Sequence, residues 1–153
     1  MFDPVFSKVL VAYDGSDPSK RALDHAAKMA AMFEGELVIL TVVPKVSVPV
    51  YSNAELGAQA MDIASLQERM HENYSLSMKK AEEEIKGLYP NLNVETILKE
   101  GRPSSTIVSE AERLGISLIV MGSRGLGGIS GWLLGSTSRQ VVDQCTKAIL
   151  IVK

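Results

Sequence analysis

The strongest constraint on the fold is a series of five short, mainly apolar runs, separated by segments whose apolar residues recur at helical spacing. Most of these runs are apolar on successive residues, which is typical of strands that are covered on both faces. Strict alternation of such strands with helices predicts a parallel sheet with helices on both of its faces. We assign the five strands to residues 6–13, 36–43, 92–99, 117–121 and 148–152.

The segments between the strands predict four helices. The first runs from about Pro18 to Phe33, with Ser16 or Asp17 as its N-cap and Gly35 as its C-terminal cap. Together the elements predict an α/β fold, a single doubly wound, Rossmann-like open sheet of five parallel strands in the order 3-2-1-4-5. We read residues 1–153 as one domain, in which residues 44–60 form a variable surface connection. The other three helices are expected at about residues 61–88, 103–114 and 136–144, and Gly115 is expected to end the second of these. The long helix at 61–88 has an apolar stripe at three- and four-residue spacing, which consists of Ile63, Leu66, Met70, Tyr74, Met78, Ala81, Ile85 and Leu88.

Length and charge narrow the classes of partner. A chain of 153 residues fits one domain with a substantial core. The net charge of −2 and the scattered basic residues favour neither nucleic acid nor an anionic membrane as the main partner. No apolar run approaches the roughly 20 residues that span a bilayer, and the sequence begins without a recognisable signal peptide. Because Cys145 is the only cysteine, we expect a reducing, cytoplasmic location.

The stretch from Ile119 to Ser138 carries the clearest chemical signal. It passes from an apolar strand into a loop with five glycines, and it ends in three hydroxyl residues at the start of a helix. This combination favours an anion, because free backbone N–H groups and the helix dipole both attract negative charge. The residues that we expect to hold nucleotide phosphates are Gly122, Gly125, Gly135, Ser136, Thr137 and Ser138.

Two charged side chains can complete this site. Asp14 follows strand one and can accept hydrogen bonds from an amine or a ribose hydroxyl, or hold Mg²⁺ through water. The alternative is a turn aspartate that is bonded to its own backbone. Arg124 can form charge-assisted bonds to phosphate, or it can be a solvated loop arginine. Strands one and four both end in glycine-containing loops, which makes their carboxyl ends the natural flanks of the binding crevice.

The pattern Gly-Ser-Arg-Gly, nine residues, then Gly-Ser resembles the nucleotide-binding signature of the universal stress proteins, in their ATP-binding branch. The segments V-L-V-A-Y-D-G-S-D-P-S, E-L-V-I-L-T-V-V and S-L-I-V-M-G-S-R-G are similar to family segments, in the family order. The resemblance implies a stress-response protein that binds ATP, for which we expect Mg²⁺ as the accompanying ion. It implies an adenine and ribose pocket lined by Ala12, Asp14 and Val42, with Met121 near the base. It also implies that ribose and phosphates are held by Gly122, Arg124, Gly125, Gly135, Ser136, Thr137 and Ser138.

The last strand, 148–152, is entirely apolar and is expected at an edge of the sheet. A bare apolar edge invites pairing with another strand. We therefore favour a two-fold homodimer that forms through this strand, and the resemblance implies the same pairing.

Other functions stay open on the residues alone. The same site can serve a slow or partner-dependent ATP hydrolase, although no general base is evident in the sequence. The glycine loop contains no lysine, so it is not a P-loop. A phosphorylated receiver domain or a flavin-binding domain can use a similar sheet. The third strand ends in Lys99-Glu100, however, where a receiver needs an aspartate.

Overall fold

The computed structural model of the chain describes residues 5–47, 56–124 and 134–153, with the backbone alone for residues 56–61. Strands and helices alternate along this part of the chain. The elements are β1 (Lys8–Ala12), α1 (Asp17–Met32), β2 (Glu36–Val43), α2 (Leu56–Leu88), β3 (Asn93–Glu100), α3 (Pro103–Arg113), β4 (Leu118–Gly122), α4 (Ser136–Gln144) and β5 (Ala148–Val152).

The five strands form one parallel sheet in the order β3-β2-β1-β4-β5, which confirms the predicted fold class and strand order. The central strand is β1, in which Val9 is in register with Leu37 of β2 and with Leu118 of β4. The edges are β3 and β5. The order of the strands reverses between β1 and β4, and the crevice beyond their carboxyl ends is where such sheets accommodate ligands.

Side chains of the central strands alternate between two apolar cores, one on each face of the sheet. Val9 and Val11 of β1 pack on the side of α1 and α2. Leu10 points to the other side, where it packs with Ile107 of α3 and Val141 of α4. All three β1 side chains are completely buried, so hydrophobic burial on both faces fixes the helices to the sheet.

Helix α2 is the longest element, and its start differs from the sequence-based expectation. It begins at Leu56 and not near residue 61, so the connection expected at residues 44–60 is shorter than predicted. Residues 48–55 of that connection lie outside the described part of the chain. Within the described residues, no helix has both the length and the apolar character needed to cross a membrane.

Among the side chains of α2 that the structure describes, those that reach the core lie in its C-terminal half. Its 33 residues span about 50 Å, which is roughly twice the length of the strands that it crosses. Leu66 and Leu88, both expected on the buried stripe, are therefore exposed. The buried members of the stripe are Met78, Ala81 and Ile85.

The C-terminal ends of α1 and α3 are determined by different factors, local sequence in α3 and close packing in α1. Helix α3 ends as predicted at Gly115, which adopts a left-handed φ of 64°. At the end of α1 the left-handed residue is Glu34, with a φ of 53°, and not the expected Gly35. Gly35 donates its N–H to the Ala30 carbonyl at 2.8 Å. A Cβ at Gly35 would lie 2.7 Å from the Phe6 carbonyl oxygen, so this glycine is required by close packing.

Candidate functional site

A cavity of about 270 Å³ opens at the carboxyl ends of the central strands, at the point where the strand order reverses. Helices α1, α3 and α4 all begin at this edge, because each runs antiparallel to the strand before it. Their N-terminal dipole ends therefore face the same region. The lining residues are Ala12, Asp14, Ser19, Leu40, Val42, Pro44, Tyr74, Pro103, Ile107, Met121, Gly122, Arg124, Gly135, Ser136, Thr137 and Ser138.

The structure brings ten of the eleven sequence-predicted site residues together around this one cavity. Gly125, the eleventh, lies outside the described residues. The ten come from widely separated parts of the chain, which the parallel topology gathers at a single edge. They are Ala12, Asp14, Val42, Met121, Gly122, Arg124, Gly135, Ser136, Thr137 and Ser138.

One side of the cavity is apolar. Leu40 and Val42 are alternate residues of β2 and therefore point to the same face of the sheet. They pack in the same core as Met121 of β4 and Ile107 of α3. Leu40 was missed in the sequence, although the period of two along β2 places it beside Val42. This side can receive a flat apolar group such as a purine ring.

The opposite side of the cavity is formed by the start of α4. Gly135 is the N-cap of this helix and has no side chain to accept from its first N–H groups. Helix α1 differs, because its N-cap Ser16 accepts from the Ser19 N–H at 3.3 Å and Asp17 stands in its first turn. The N-terminus of α4 therefore has the backbone donors and the dipole to receive an anion from the cavity.

Ser123 holds the start of α4 in place. Its carbonyl accepts from the Gly135 N–H at 2.7 Å and from the Ser138 hydroxyl at 2.9 Å, while its own N–H donates to the Val152 carbonyl at 2.9 Å. Ser138 is buried, and its hydroxyl also bonds to the Gly135 carbonyl. The Ser138 side chain therefore stabilises the start of α4. Ser136, by contrast, is the exposed hydroxyl residue of this turn.

Gly122 is a glycine for a reason that the sequence did not reveal. A glycine at such a position can permit a positive φ, but the φ of Gly122 is not positive. A Cβ at Gly122 would lie 2.7 Å from the Pro18 Cβ and 2.9 Å from the Pro18 carbonyl carbon. The missing side chain therefore makes room for the first turn of α1. A larger side chain, as in Gly122→Val, should therefore disturb the packing of α1 as well as any ligand.

Asp14 takes part in the turn between β1 and α1. Its Oδ1 accepts from the Ser16 N–H at 2.9 Å, and its own N–H donates to the Ser19 hydroxyl at 3.4 Å. The turn interpretation is therefore correct for one carboxylate oxygen. Asp14 also lines the cavity, so the same turn fixes the carboxylate at the end of β1, where a ligand group can meet it.

Tyr74 of α2 was not predicted as a site residue, because its position in the sequence fits the apolar stripe of that helix. In the structure it is half-buried and lines the cavity. Burial raises the pKa of its phenol above the ordinary value, and the negative charge of Asp14 adds to this effect. The sequence does contain one indication of this role. Tyr74 is the stripe residue whose side chain ends in a hydroxyl, and a buried tyrosine hydroxyl needs a hydrogen-bond partner or water.

Pro44 is a third residue of the cavity wall that was not predicted from the sequence, and its position depends on α2. The Gln67 amide nitrogen donates to the Pro44 carbonyl at 3.1 Å, and the Gln67 amide oxygen accepts from the Val46 N–H at 2.8 Å. This pair of bonds clamps the segment after β2 against α2. Across the described residues, no three His, Cys, Asp or Glu side chains cluster, as a metal site built from protein ligands alone would require.

Comparisons with known proteins agree with this architecture. The sequence pattern of the Universal stress protein family matches residues 6–153 of the chain. The universal stress protein YxiE of Bacillus subtilis (strain 168) is 35% identical over 150 residues, which cover 97% of this chain and 100% of that protein.

Solved structures show the same fold. The universal stress protein UspA from Lactobacillus plantarum has a TM-score of 0.82 at 23% identity, over 97% of this chain and 98% of that chain. A universal stress protein solved in complex with cAMP has a TM-score of 0.65 at 27% identity, over 96% of both chains. Because the family pattern covers nearly the whole chain and a full-length relative exceeds 30% identity, this chain belongs to the universal stress protein family.

Proposed function

We propose that this protein binds an adenine nucleotide, ATP in the first place, and acts as a regulatory stress-response protein in which binding is the functional event. The observation that carries the proposal is a single cavity at the reversal of strand order, with an apolar wall on one side and the N-terminus of α4 on the other. A nucleotide has the matching halves, an apolar base and anionic phosphates.

The charges around the cavity support an orientation in which the phosphates of the nucleotide lie at the start of α4. Arg124 lines the cavity next to the start of α4, and the Cα of Arg124 would be 3.3 Å from a Cβ at Gly135. A guanidinium beside free N–H donors is suited to phosphate. We therefore place the phosphates at Arg124 and residues 135–138, and the base against Leu40, Val42 and Met121.

Mg²⁺ fits the residues that are present. This ion prefers one or two carboxylates together with phosphate oxygens and water. Among the described lining residues, Asp14 is the carboxylate, and it stands at the end of β1 between the two halves of the cavity. We propose that Asp14 holds the ion through water, where Mg²⁺ would neutralise part of the phosphate charge.

The relatives supply further support. A universal stress protein of the same fold has been solved with cAMP, which is itself an adenine nucleotide. We extend adenine-nucleotide binding from that protein to this one on the strength of the cavity. The proposal also includes a homodimer through residues 148–152 and a cytoplasmic location, which is supported by the single cysteine, Cys145.

Slow or partner-dependent ATP hydrolysis at the same site is the second candidate, and Arg124 beside the phosphate position favours it. The geometry around Asp14 favours simple binding, because one oxygen of this carboxylate already accepts from the Ser16 N–H. A turnover assay separates the two. Phosphate release that stops when Asp14 is replaced by Asn would support hydrolysis, and release that persists would indicate a contaminating enzyme.

The binding proposal is tested by mass spectrometry of small molecules released from the denatured protein and by calorimetric titration with ATP and Mg²⁺. The informative variant is Ser136→Asp. A carboxylate in the first turn of a helix is favourable for the helix by about 0.3–1 kcal/mol, but here it would repel phosphate. We expect unchanged or higher stability together with at least about tenfold weaker ATP binding, which corresponds to roughly 1.4 kcal/mol.

The matched control is Ser105→Asp, which adds the same charge to the first turn of α3 at an exposed residue that does not line the cavity. ATP affinity should stay near that of the wild type in this control. If the wild-type protein binds no adenine nucleotide with Mg²⁺ present, the proposed function is wrong. If Ser136→Asp binds ATP as tightly as the wild type, the phosphates lie elsewhere.

A further inference from the structure

Tyr74 closes the cavity from the side of the sheet that carries α1 and α2. The apolar wall belongs to the opposite face, where Leu40, Val42 and Met121 pack with α3 and α4. Among the described lining residues, Tyr74 is the one that α2 supplies. It therefore reaches over the strand ends towards a ligand that rests on the other face.

The position of α2 at this point is fixed by contacts on both sides of Tyr74. A Cβ at Gly15, in the turn after β1, would lie 2.9 Å from the Ser77 hydroxyl, so α2 packs directly on that turn. About two turns before Tyr74, the Gln67 amide bonds to the Pro44 carbonyl and to the Val46 N–H. The Tyr74 ring is thus carried by a part of α2 that is tied to two walls of the cavity.

The strand order shows which part of a nucleotide meets this residue. Along the sheet edge, β1 lies between β2, which supplies the apolar wall, and β4, which leads to the phosphate side. Asp14 follows β1 and so stands between the two halves. In any nucleotide the sugar connects base and phosphates, so the sugar falls beside Asp14.

The chemistry of Tyr74 suits a sugar hydroxyl. Asp14 and Tyr74 line the same cavity, and the charge of Asp14 raises the Tyr74 pKa, an effect that comes second to burial. A protonated phenol can both donate and accept a hydrogen bond. The phenol of Tyr74 therefore offers a hydrogen-bond partner to a ribose hydroxyl.

We infer that Tyr74 is a specificity-determining residue that hydrogen-bonds the ribose 2′-hydroxyl and so favours ribonucleotides over 2′-deoxyribonucleotides. The inference rests on the nucleotide binding proposed above. Phenylalanine at this position keeps the ring and its packing and removes only the hydroxyl.

The test is calorimetric titration of the wild type and Tyr74→Phe with ATP and with 2′-deoxy-ATP, each with Mg²⁺. We expect the wild type to prefer ATP. Tyr74→Phe should bind ATP about fivefold more weakly, as for one lost hydrogen bond, and should bind 2′-deoxy-ATP with unchanged affinity. The preference for ribose would then disappear. The control, Tyr89→Phe, changes a half-buried tyrosine that lines a groove between the C-terminal ends of α1 and α2, and both affinities should stay at wild-type values.

The outcomes separate this inference from the proposed function. A wild type that binds neither nucleotide overturns both. A wild type that binds both nucleotides equally, or a Tyr74→Phe variant that loses the same factor for both or for neither, overturns the role of Tyr74 alone. Loss confined to ATP supports it.

Discussion

At the scale of single residues, the glycines around the cavity differ in what crowds them. Gly122 meets the backbone of Pro18, which cannot move without shifting the first turn of α1. Gly135 has a looser environment, with the Arg124 Cα and the Ser123 carbonyl oxygen both at 3.3 Å from a Cβ. Gly87, near the end of α2, has nothing within 4 Å. The same change to alanine should therefore have three different outcomes.

Gly122→Ala should lower the free energy of unfolding by about 1–3 kcal/mol, because its methyl group would overlap the Pro18 backbone. Gly87→Ala is the control, and it should raise that free energy by about 0.5–1 kcal/mol, because alanine is the better helix former. Urea denaturation measures both. Wild-type stability in Gly122→Ala would show that α1 can yield at Pro18.

The same residue shows how far sequence reasoning reaches. The spacing of Gly122, Arg124 and Gly135 was enough to expect an anion site, because helix starts and glycine loops are local features. The reason for Gly122 was hidden, since Pro18 is distant in the sequence and meets it only after the sheet forms. Tyr74 was hidden for the same reason, because the phase of a helix does not show which strand end it covers.

At the scale of elements, α2 is tied to the segment after β2 by one side chain. Gln67 bonds to Pro44 and Val46 through both ends of its amide, and so replaces the pairing that a further strand residue would have. This contact lets an extended segment form a cavity wall without a neighbouring strand.

Gln67→Leu removes both bonds and should expose the Val46 N–H to solvent. We expect hydrogen exchange at Val46 to accelerate about fivefold, which corresponds to a net contribution of roughly 1 kcal/mol for one hydrogen bond. Gln144→Leu, at an exposed position on α4, is the control and should leave Val46 unaffected. Equal protection of Val46 in Gln67→Leu and wild type would mean that the clamp does not operate in solution.

Helix α3 carries a buried carboxylate whose charge is favoured by the fold. Glu110 accepts from Arg113 Nη2 at 2.6 Å and lies 3.7 Å from Lys99 Nζ of β3. The hydrogen bond from Arg113 holds the pKa of Glu110 below its ordinary 4.5, with the positive charges of Arg113 and Lys99 adding to the effect. A lowered pKa stabilises the folded state above pH 4.5, and this contribution is lost as the pH falls through the lowered value.

Glu110→Gln should therefore be less stable than the wild type at neutral pH, and the gap should narrow as the pH falls below 4.5. Chemical denaturation of both proteins across this range measures the gap. A gap that stays constant with pH would show that the charge of Glu110 contributes nothing and that the loss is one of packing.

At the scale of the whole molecule, β5 is an edge strand with an apolar sequence. Ile149, Leu150 and Ile151 are each only partly covered, and within the described residues β5 pairs with one strand, β4. An edge of this kind is stable in water when another strand or element covers it. The proposed homodimer would supply that cover.

Ile149→Lys should weaken the dimer, because a charged side chain at an edge opposes strand pairing. Analytical ultracentrifugation over a range of concentrations should show a shift to monomer. Val142→Lys, at a residue of α4 that is already 42% exposed, is the control and should assemble as the wild type does. Wild-type protein that is monomeric throughout would contradict the proposed pairing.

The strand order was predictable as a whole because each βαβ unit follows the same handed crossover and both glycine-containing turns pointed to β1 and β4. The start of α2 was not, since residues 56–60 have no cap or periodic signal that marks a helix. The exposure of Leu66 could not be predicted either, because the sequence shows an apolar stripe but does not show how far the sheet extends beneath the helix.

The bond between the Ser123 carbonyl and the Gly135 N–H joins the two ends of residues 124–134. In polymer terms, this hydrogen bond closes a ring of chain between Ser123 and Gly135. Doubling the length of such a loop costs only about 0.6 kcal/mol in closure entropy, and its ends are anchored at β5 and α4. The Ser123–Gly135 bond therefore holds the start of α4 at the end of β4 through a contact that lies outside the intervening segment, so the register of the five strands does not depend on the length of that segment.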